Sequence, residues 1–202
     1  MNASQNAASV EDTQCCITRG RSSDRPAWTD ALEPFWRKLR ASGGRTSGAR
    51  IEAAASDMSA AYLMALAENL PDAVHVLGRF HVMKLYNDKL AQLRRDLQRT
   101  AGADQQGVIK GTRWLLLKNP ENLDHTRNER RRLDEALELN QPLATAYYMK
   151  EGLRQLWEQR SKPAAERFLD RWIAKAQASS VRMLSKFART LQLHRRGLLA
   201  WY

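Results

Sequence analysis

Asp57 is the residue whose surroundings point most directly to chemistry. It follows the short run Ile51-Glu52-Ala53-Ala54-Ala55-Ser56, which is too tightly bounded to read as a helix and predicts a buried strand ending at Asp57. A carboxylate at the C-terminal tip of a parallel strand projects into the crevice where α/β sheets hold their ligands, and a hard oxygen there suits Mg²⁺. A plainer role is also physical: Asp57, with Ser56 and Ser59, is placed to cap the following helix. The two roles are compatible.

Other chemistries find less support. His81 follows Arg79-Phe80 at the start of a long helical pattern with Lys84 one turn on, where a single histidine is ordinarily a surface or packing residue. His75, His125 and His194 are scattered, no H-E-x-x-H is present, and the only cysteines, Cys15 and Cys16, are adjacent in a polar stretch. Neither a zinc site nor a disulfide framework fits that spacing. Gly107 and Gly111 lack the G-K-[ST] ending of a phosphate loop, so nucleotide hydrolysis is not expected.

The basic residues are more informative. Lys and Arg outnumber Asp and Glu by 33 to 22 for a formal charge of +11, which favours a polyanionic partner. Between Arg79 and Lys118 the cations Arg79, Lys84, Lys89, Arg94, Arg95, Arg99, Lys110, Arg113 and Lys118 stand against Asp88, Asp96 and Asp104. Phosphate contact is their natural use, and a solvated charged face is the alternative. A second cluster, Arg127, Arg130, Arg131 and Arg132, sits at a helix start, where cations oppose the helix dipole. Trp114, Trp157 and Trp172 lie on otherwise apolar helical faces and read as core anchors in preference to base-stacking groups.

The elements that must position these groups follow from periodicity. Residues 1–28 are polar without an apolar period, so they read as disordered or foreign to the fold. Leu32, Phe35, Trp36 and Leu39 recur at helical spacing behind Thr29 and stop at Ser42-Gly43-Gly44. Tyr62, Leu63, Leu66 and Leu70 form a helical stripe ended by Pro71, and Ala73-Val74-His75-Val76-Leu77 reads as a second strand. Strand, helix and strand in so short a span predict a βαβ unit with parallel strands. From Phe80 to Arg99 one long helix is predicted, with others over 105–117, 128–139, 142–159, 163–178 and 180–195, separated by Gly102, Asn119-Pro120, Asn140-Gln141 and Ser161-Lys162. Leu198-Leu199-Ala200-Trp201-Tyr202 reads as the start of a further buried segment. No apolar run of about 18 residues could span a bilayer, and a reducing cytoplasm fits the cysteine usage.

Several motifs in order carry a resemblance: Phe35-Trp36-Arg37-Lys38-Leu39, Ser56-Asp57-Met58-Ser59-Ala60-Ala61-Tyr62, Asn69-Leu70-Pro71-Asp72-Ala73, Arg79-Phe80-His81-Val82-Met83-Lys84-Leu85, and Lys110-Gly111-Thr112-Arg113-Trp114-Leu115-Leu116-Leu117-Lys118-Asn119-Pro120-Glu121-Asn122-Leu123. Matches continue through 146–157, 187–191 and 197–202. Together they resemble ISL-three-type insertion-sequence transposases of the DDE superfamily, over roughly Thr29 to Tyr202.

The resemblance implies an RNase H-like core with short parallel strands, interrupted by a large all-α insertion and mostly α overall. Residues 29–78 would be part of that core, 79–195 the basic helical insertion, and 196–202 the start of a further core segment. It implies Mg²⁺-dependent cleavage and strand transfer at the ends of a mobile element, for which three carboxylates hold two cations about 4 Å apart. Asp57 would be the second carboxylate, catalytic and metal-ligating, with His81 matching a motif of unassigned role. The first aspartate would lie upstream of Thr29 and the glutamate beyond Tyr202, so the chain is expected to be truncated at both ends and inactive alone. Gly78 stands where the family usually has an aspartate.

Arg79, Lys84, Arg94, Arg95, Lys110, Arg113, Lys118, Arg130 and Arg131 are the residues expected to meet DNA. The alternative function is a non-catalytic, helical DNA-binding or transposase-binding protein that acts as an inhibitor, with full-length transposase as partner. An unfinished fold without a role is the third possibility.

Overall fold

Two four-residue strands joined by a ten-residue helix form the smaller of two units in a computed structural model of the chain, which describes residues 34, 37, 45–46, 49–56 and 60–202. The strands are β3 (Ala53–Ser56) and β4 (Val74–Leu77), and the helix is α1 (Ala60–Asn69). They pair in parallel with Ala53 opposite Val74 and Ser56 opposite Leu77, as the βαβ pattern predicts. A short antiparallel pair precedes them, β1 (Arg45–Thr46) with β2 (Ala49–Arg50). Ala54, Ala65 and Leu66 are buried between strand and helix, with Ile51, Tyr62 and Leu70 packed at the edge. The Leu70 amide donates to the Leu66 carbonyl at 2.8 Å, satisfying one of the acceptors that a helix end leaves open, and Asn69 Nδ2 adds a bond to the Ala65 carbonyl at 2.9 Å. Pro71 then prevents continuation.

The second unit, Arg79–Ala200 with Tyr202, is helical. Its elements are α2 (Arg79–Thr100), α3 (Ala103–Gly111), α4 (Glu129–Leu139), α5 (Gln141–Arg154), α6 (Lys162–Ala178), α7 (Arg182–Leu193) and α8 (Arg195–Leu199), with 3₁₀ turns at Pro120–Asn122 and Gln155–Glu158. Helix α2 packs against α3, α5 and α7, while α6 and α7 share the most extensive helix–helix contact among the described residues. The breaks have local causes. Asn140 Oδ1 accepts from the Leu143 amide at 3.0 Å to start α5, Ser161 Oγ accepts from Ala164 at 3.4 Å to start α6, and Pro142 and Pro163 occupy first-turn positions where no amide hydrogen is required.

An aromatic cluster holds the centre of this unit. Tyr86 meets Phe187 edge-to-face with ring centroids 4.8 Å apart, and Phe187 meets Trp172 at 6.0 Å. Both polar handles are satisfied: Tyr86 Oη donates to the Ala146 carbonyl at 2.7 Å and Trp172 Nε1 to the Met149 carbonyl at 3.0 Å. Leu90, Leu143, Leu169, Leu184 and Leu191 are fully buried alongside, each contributing about 1.5–3 kcal/mol over its exposed form.

Several boundaries differ from the sequence reading. The buried face of α2 is Val82, Tyr86, Leu90 and Arg94, whereas Phe80, at the start of the helix, is 69% exposed. Helix α3 stops at Gly111, six residues before the predicted Leu117, because Thr112 turns its amide and its hydroxyl back onto the Ile109 carbonyl, at 3.2 and 2.7 Å. The run 112–118 is a series of turns. Residues 195–199 form α8, which buries Gly197, Leu198 and Leu199 against α6 and α7, and the Tyr202 hydroxyl donates to the Leu156 carbonyl. The helix predicted over 29–42 lies outside the described residues apart from Pro34 and Arg37, both helical. The chain is mostly α-helical with a small α/β part, and no helix among the described residues is long and apolar enough to cross a membrane.

Candidate nucleic-acid interface

The acidic candidate and the basic candidates fall in different units. Asp57 follows directly on Ser56, the last residue of β3, but lies outside the described residues, as do Met58 and Ser59. What is described is its approach: a short parallel pair in which the Ser56 hydroxyl and His75 Nε2 lie 2.6 Å apart in a hydrogen bond across the two strands. Among the described residues no three His, Cys, Asp or Glu side chains converge in a way that could hold a metal ion. These residues therefore do not supply a set for two magnesium ions, which need several competing oxygens.

Helix α2 delivers the first cations. Arg79 and Lys84 are exposed, and neither forms an ion pair among the described residues. His81 is half-buried, with its ring edge-to-face on Phe80 at 5.4 Å. Arg95 is exposed, its guanidinium donating to Gln92 Oε1 at 2.6 and 3.2 Å. Arg94 differs from these. It occupies the buried face, 7% exposed, and donates to Gln98 Oε1 at 2.9 Å and towards the Ile109 carbonyl at 3.5 Å. Burial lowers its proton affinity, and the neighbouring Arg95 and Arg113 charges lower it further. A side chain so placed ties α2 to the end of α3 instead of facing solvent phosphate.

The end of α3 gathers further cations. Lys110 and Arg113 are exposed, and Arg132 reaches from α4 to donate to the Gly111 carbonyl at 3.3 Å. The Arg113 guanidinium carbon stands 4.6 Å from the centre of the Trp114 ring. Trp114 is 63% exposed, so its reading as a core anchor is corrected: α3 ends before the ring, and the apolar stripe it was assigned to does not continue. Trp172 is in the core, and Trp157 is half-buried with its indole nitrogen unpaired among the described residues.

Charges nearer the 118–129 segment are internally neutralised. Lys118 pairs with Glu129 at 2.6 Å, and Arg130 with Asp134 at 2.9 Å. Glu129 also accepts the Asp124 amide at 2.9 Å, and these two donors, the amide foremost, hold its carboxyl below the usual carboxylate range. Asn128, in the left-handed region at φ 52°, lets the chain turn into α4 just before Glu129. Arg131 is exposed without an ion pair among the described residues. An open groove of about 550 Å³ runs between His125, Asn128, Arg131 and Glu135.

Two residues of this region escaped the sequence reading. Lys150 is 1% exposed, and its ammonium donates to the Leu116 carbonyl at 2.7 Å and the Lys118 carbonyl at 3.3 Å, with Glu151 Oε1 at 2.9 Å. Burial lowers its proton affinity. The signal was present: Lys150 sits in the buried stripe Leu143, Ala146, Tyr147, Lys150, Leu153, and a cation on an apolar face needs acceptors. Arg154, one turn on, binds Glu151 at 2.8 Å and Glu121 at 2.9 Å, so α5 clamps both ends of the 116–121 segment.

A family model described as a transposase, of the DDE type and ISL3 group, matches residues 23–202. The chain is similar to the transposase for insertion sequence element IS1001 of Bordetella parapertussis, 37% identical over 160 residues, covering 75% of this chain and 37% of that protein. It is similar also to the transposase for insertion sequence element IS1557 of Mycobacterium tuberculosis, 26% identical over 151 residues, covering 63% of this chain and 33% of that protein. The chain thus spans about a third of the length of these relatives. No solved structure matches. With nine-tenths of its length inside one family model, the chain belongs to the ISL3 family of DDE transposases.

Proposed function

We propose that these 202 residues serve DNA transposition by holding DNA on the basic helical unit, and that they neither cut nor rejoin DNA by themselves. Family membership supports the role in transposition. The observation that carries the DNA-holding part is the set of exposed cations Arg79, Lys84, Arg95, Lys110, Arg113 and Arg131, none paired with a carboxylate among the described residues. Unpaired surface cations are available to displace phosphate counterions, which is the sequence-independent part of DNA affinity. Lys118 and Arg130 have carboxylate partners and Arg94 is internal, so they take a smaller share than their position in the sequence suggests.

The cutting centre is the other half of the proposal. An RNase H-like sheet would place Asp57 at the tip of β3, as the second of the family's three carboxylates. Divalent metal would supply water activation and leaving-group stabilisation at a complete centre. One motif-matching carboxylate cannot hold a metal pair, because magnesium keeps its waters unless several oxygens compete. Activity would need the other two acids from a longer or a second polypeptide.

A second reading has an observation in its favour: the helical unit buries an aromatic and leucine core of its own. A stable DNA-holding body without a cutting centre would compete with a whole transposase for element ends and act as an inhibitor. One experiment addresses both readings. The chain is incubated with element-end DNA and Mg²⁺ or Mn²⁺, alone and with an active ISL3-type transposase. The expected result is no nicking or strand transfer alone, and reduced transposase activity on added chain in the inhibitory case. Cleavage by the chain alone, abolished by Asp57→Ala, would overturn the proposal.

A further inference from the structure

The turn after α3 presents one aromatic ring to solvent on a rigid mount. Thr112, 1% exposed, folds back onto Ile109 before the ring, and Leu115 and Leu116, 3% and 1% exposed, are anchored in the core after it. The Trp114 carbonyl accepts the amides of Leu117 at 3.2 Å and Lys118 at 3.1 Å, and Lys150 holds the Leu116 carbonyl from beneath. Trp114 thus stands on a segment pinned from both sides, yet its ring is 63% exposed. Its immediate company is cationic: Arg113 lies over the ring, Lys110 precedes it and Arg132 binds Gly111.

We propose that Trp114, with Arg113 over its ring, is a stacking platform for an unpaired DNA base, the adjoining phosphates resting on Arg113 and Lys110. The inference deepens the DNA-holding role and rests on it. A base inside a duplex is stacked on its neighbours and cannot meet an indole face, so the ligand is a single strand, an overhang or a base displaced from the helix. Stacking is tolerant of sequence because every base has a π-face, and a guanidinium against the same ring adds a cation–π contribution. A protein partner fits less well. A docking anchor is normally surrounded by further apolar surface that excludes water, and the apolar neighbours Leu115 and Leu116 are turned inward. The pinned turn also means that little ordering remains to be done on binding.

The test compares fluorescence anisotropy of labelled oligothymidine and of a blunt duplex of equal length, titrated with the chain and with Trp114→Ala, Trp114→Phe and Arg113→Gln. Trp114→Ala should weaken oligothymidine binding by about 5- to 150-fold, the span expected for one lost base stack, while duplex affinity and melting temperature stay unchanged. Trp114→Phe should retain most of the affinity, and Arg113→Gln should lower both affinities and flatten their salt dependence. Equal loss on both ligands, or no loss on either, would overturn the platform alone and leave the phosphate-holding role intact. Failure of the unmodified chain to bind either DNA at low salt would overturn both. Trp114-dependent self-association in sedimentation would assign the ring to a protein contact and overturn the platform.

Discussion

Replacing Lys150 by Met keeps the stem that fills the α5 face and removes only the ammonium. The Leu116 carbonyl, held at 2.7 Å in a residue 1% exposed, would lose its donor where water does not reach. An orphaned buried acceptor costs about 1–3 kcal/mol. The Lys118 carbonyl, at 3.3 Å in a half-buried residue, regains water and adds less. Glu151 would lose one cation but keep Arg154 at 2.8 Å, so the penalty of about 3–5 kcal/mol for stranding a buried charge does not apply in full. Relief of the ammonium's own desolvation offsets part of the loss. The net expectation is a destabilisation of about 2–3 kcal/mol, or roughly 10 °C in melting temperature for a unit of this size. Thermal unfolding followed by far-ultraviolet circular dichroism reads it. Amide exchange at Leu117 and Lys118, whose hydrogens bond to the Trp114 carbonyl, should quicken in the same variant. A Lys150→Met protein as stable as the parent would show that the ammonium is tolerated and not needed, and the reasoning would fail.

Acid should loosen the 118–129 segment first. The Glu129 carboxyl is held below its usual range by the Asp124 amide and the Lys118 ammonium, so its stabilisation is present above the unfolded value of about 4.3 and is lost as pH falls through the lower folded value. Exchange protection of the Asp124 amide should collapse in that window, and Glu129→Gln should flatten the dependence; protection that persists unchanged below about pH 3 contradicts this. Phe187→Ala removes the ring shared by Tyr86 and Trp172, and a loss of about 3–5 kcal/mol in denaturant unfolding is expected. A loss below about 1 kcal/mol would mean that the cluster is not the centre of the core. Arg94→Met should lower melting temperature before it lowers DNA affinity, because the guanidinium bonds to Gln98 and the Ile109 carbonyl; the reverse order would return Arg94 to the DNA-contacting set.

Local signals carried much of the architecture. The βαβ pair was legible because Ala53–Ser56 and Val74–Leu77 are short, bounded runs on either side of one helical stripe. The starts of α5 and α6 were legible because Asn140 and Ser161 cap them with their own side chains and proline follows. What was not legible depends on distant partners. Leu115, Leu116 and Leu117 prolong an apolar pattern that reads as helix, but their backbone is held in turns by an ammonium 34 residues away. That same break turns Trp114 outward. Arg94 shares the basic composition of its neighbours, and only its place in the Val82-Tyr86-Leu90 row shows that it points inward. The β1–β2 pair was missed because two-residue strands have no periodicity to read. For the candidate site, the grouping of cations was visible in the sequence, while their division into free, paired and buried members required the fold.

A helical unit that holds DNA through phosphates must release counterions on binding, so its affinity must depend on salt. With Arg79, Lys84, Arg95, Lys110, Arg113 and Arg131 available at the surface, the logarithm of affinity for duplex DNA should fall with the logarithm of salt at a slope of roughly −3 to −5. Each exposed residue that touches a phosphate should reduce that slope by about 1 when changed to glutamine. Affinity indifferent to salt, or no binding at low ionic strength, would show that the helical unit does not hold DNA through phosphates.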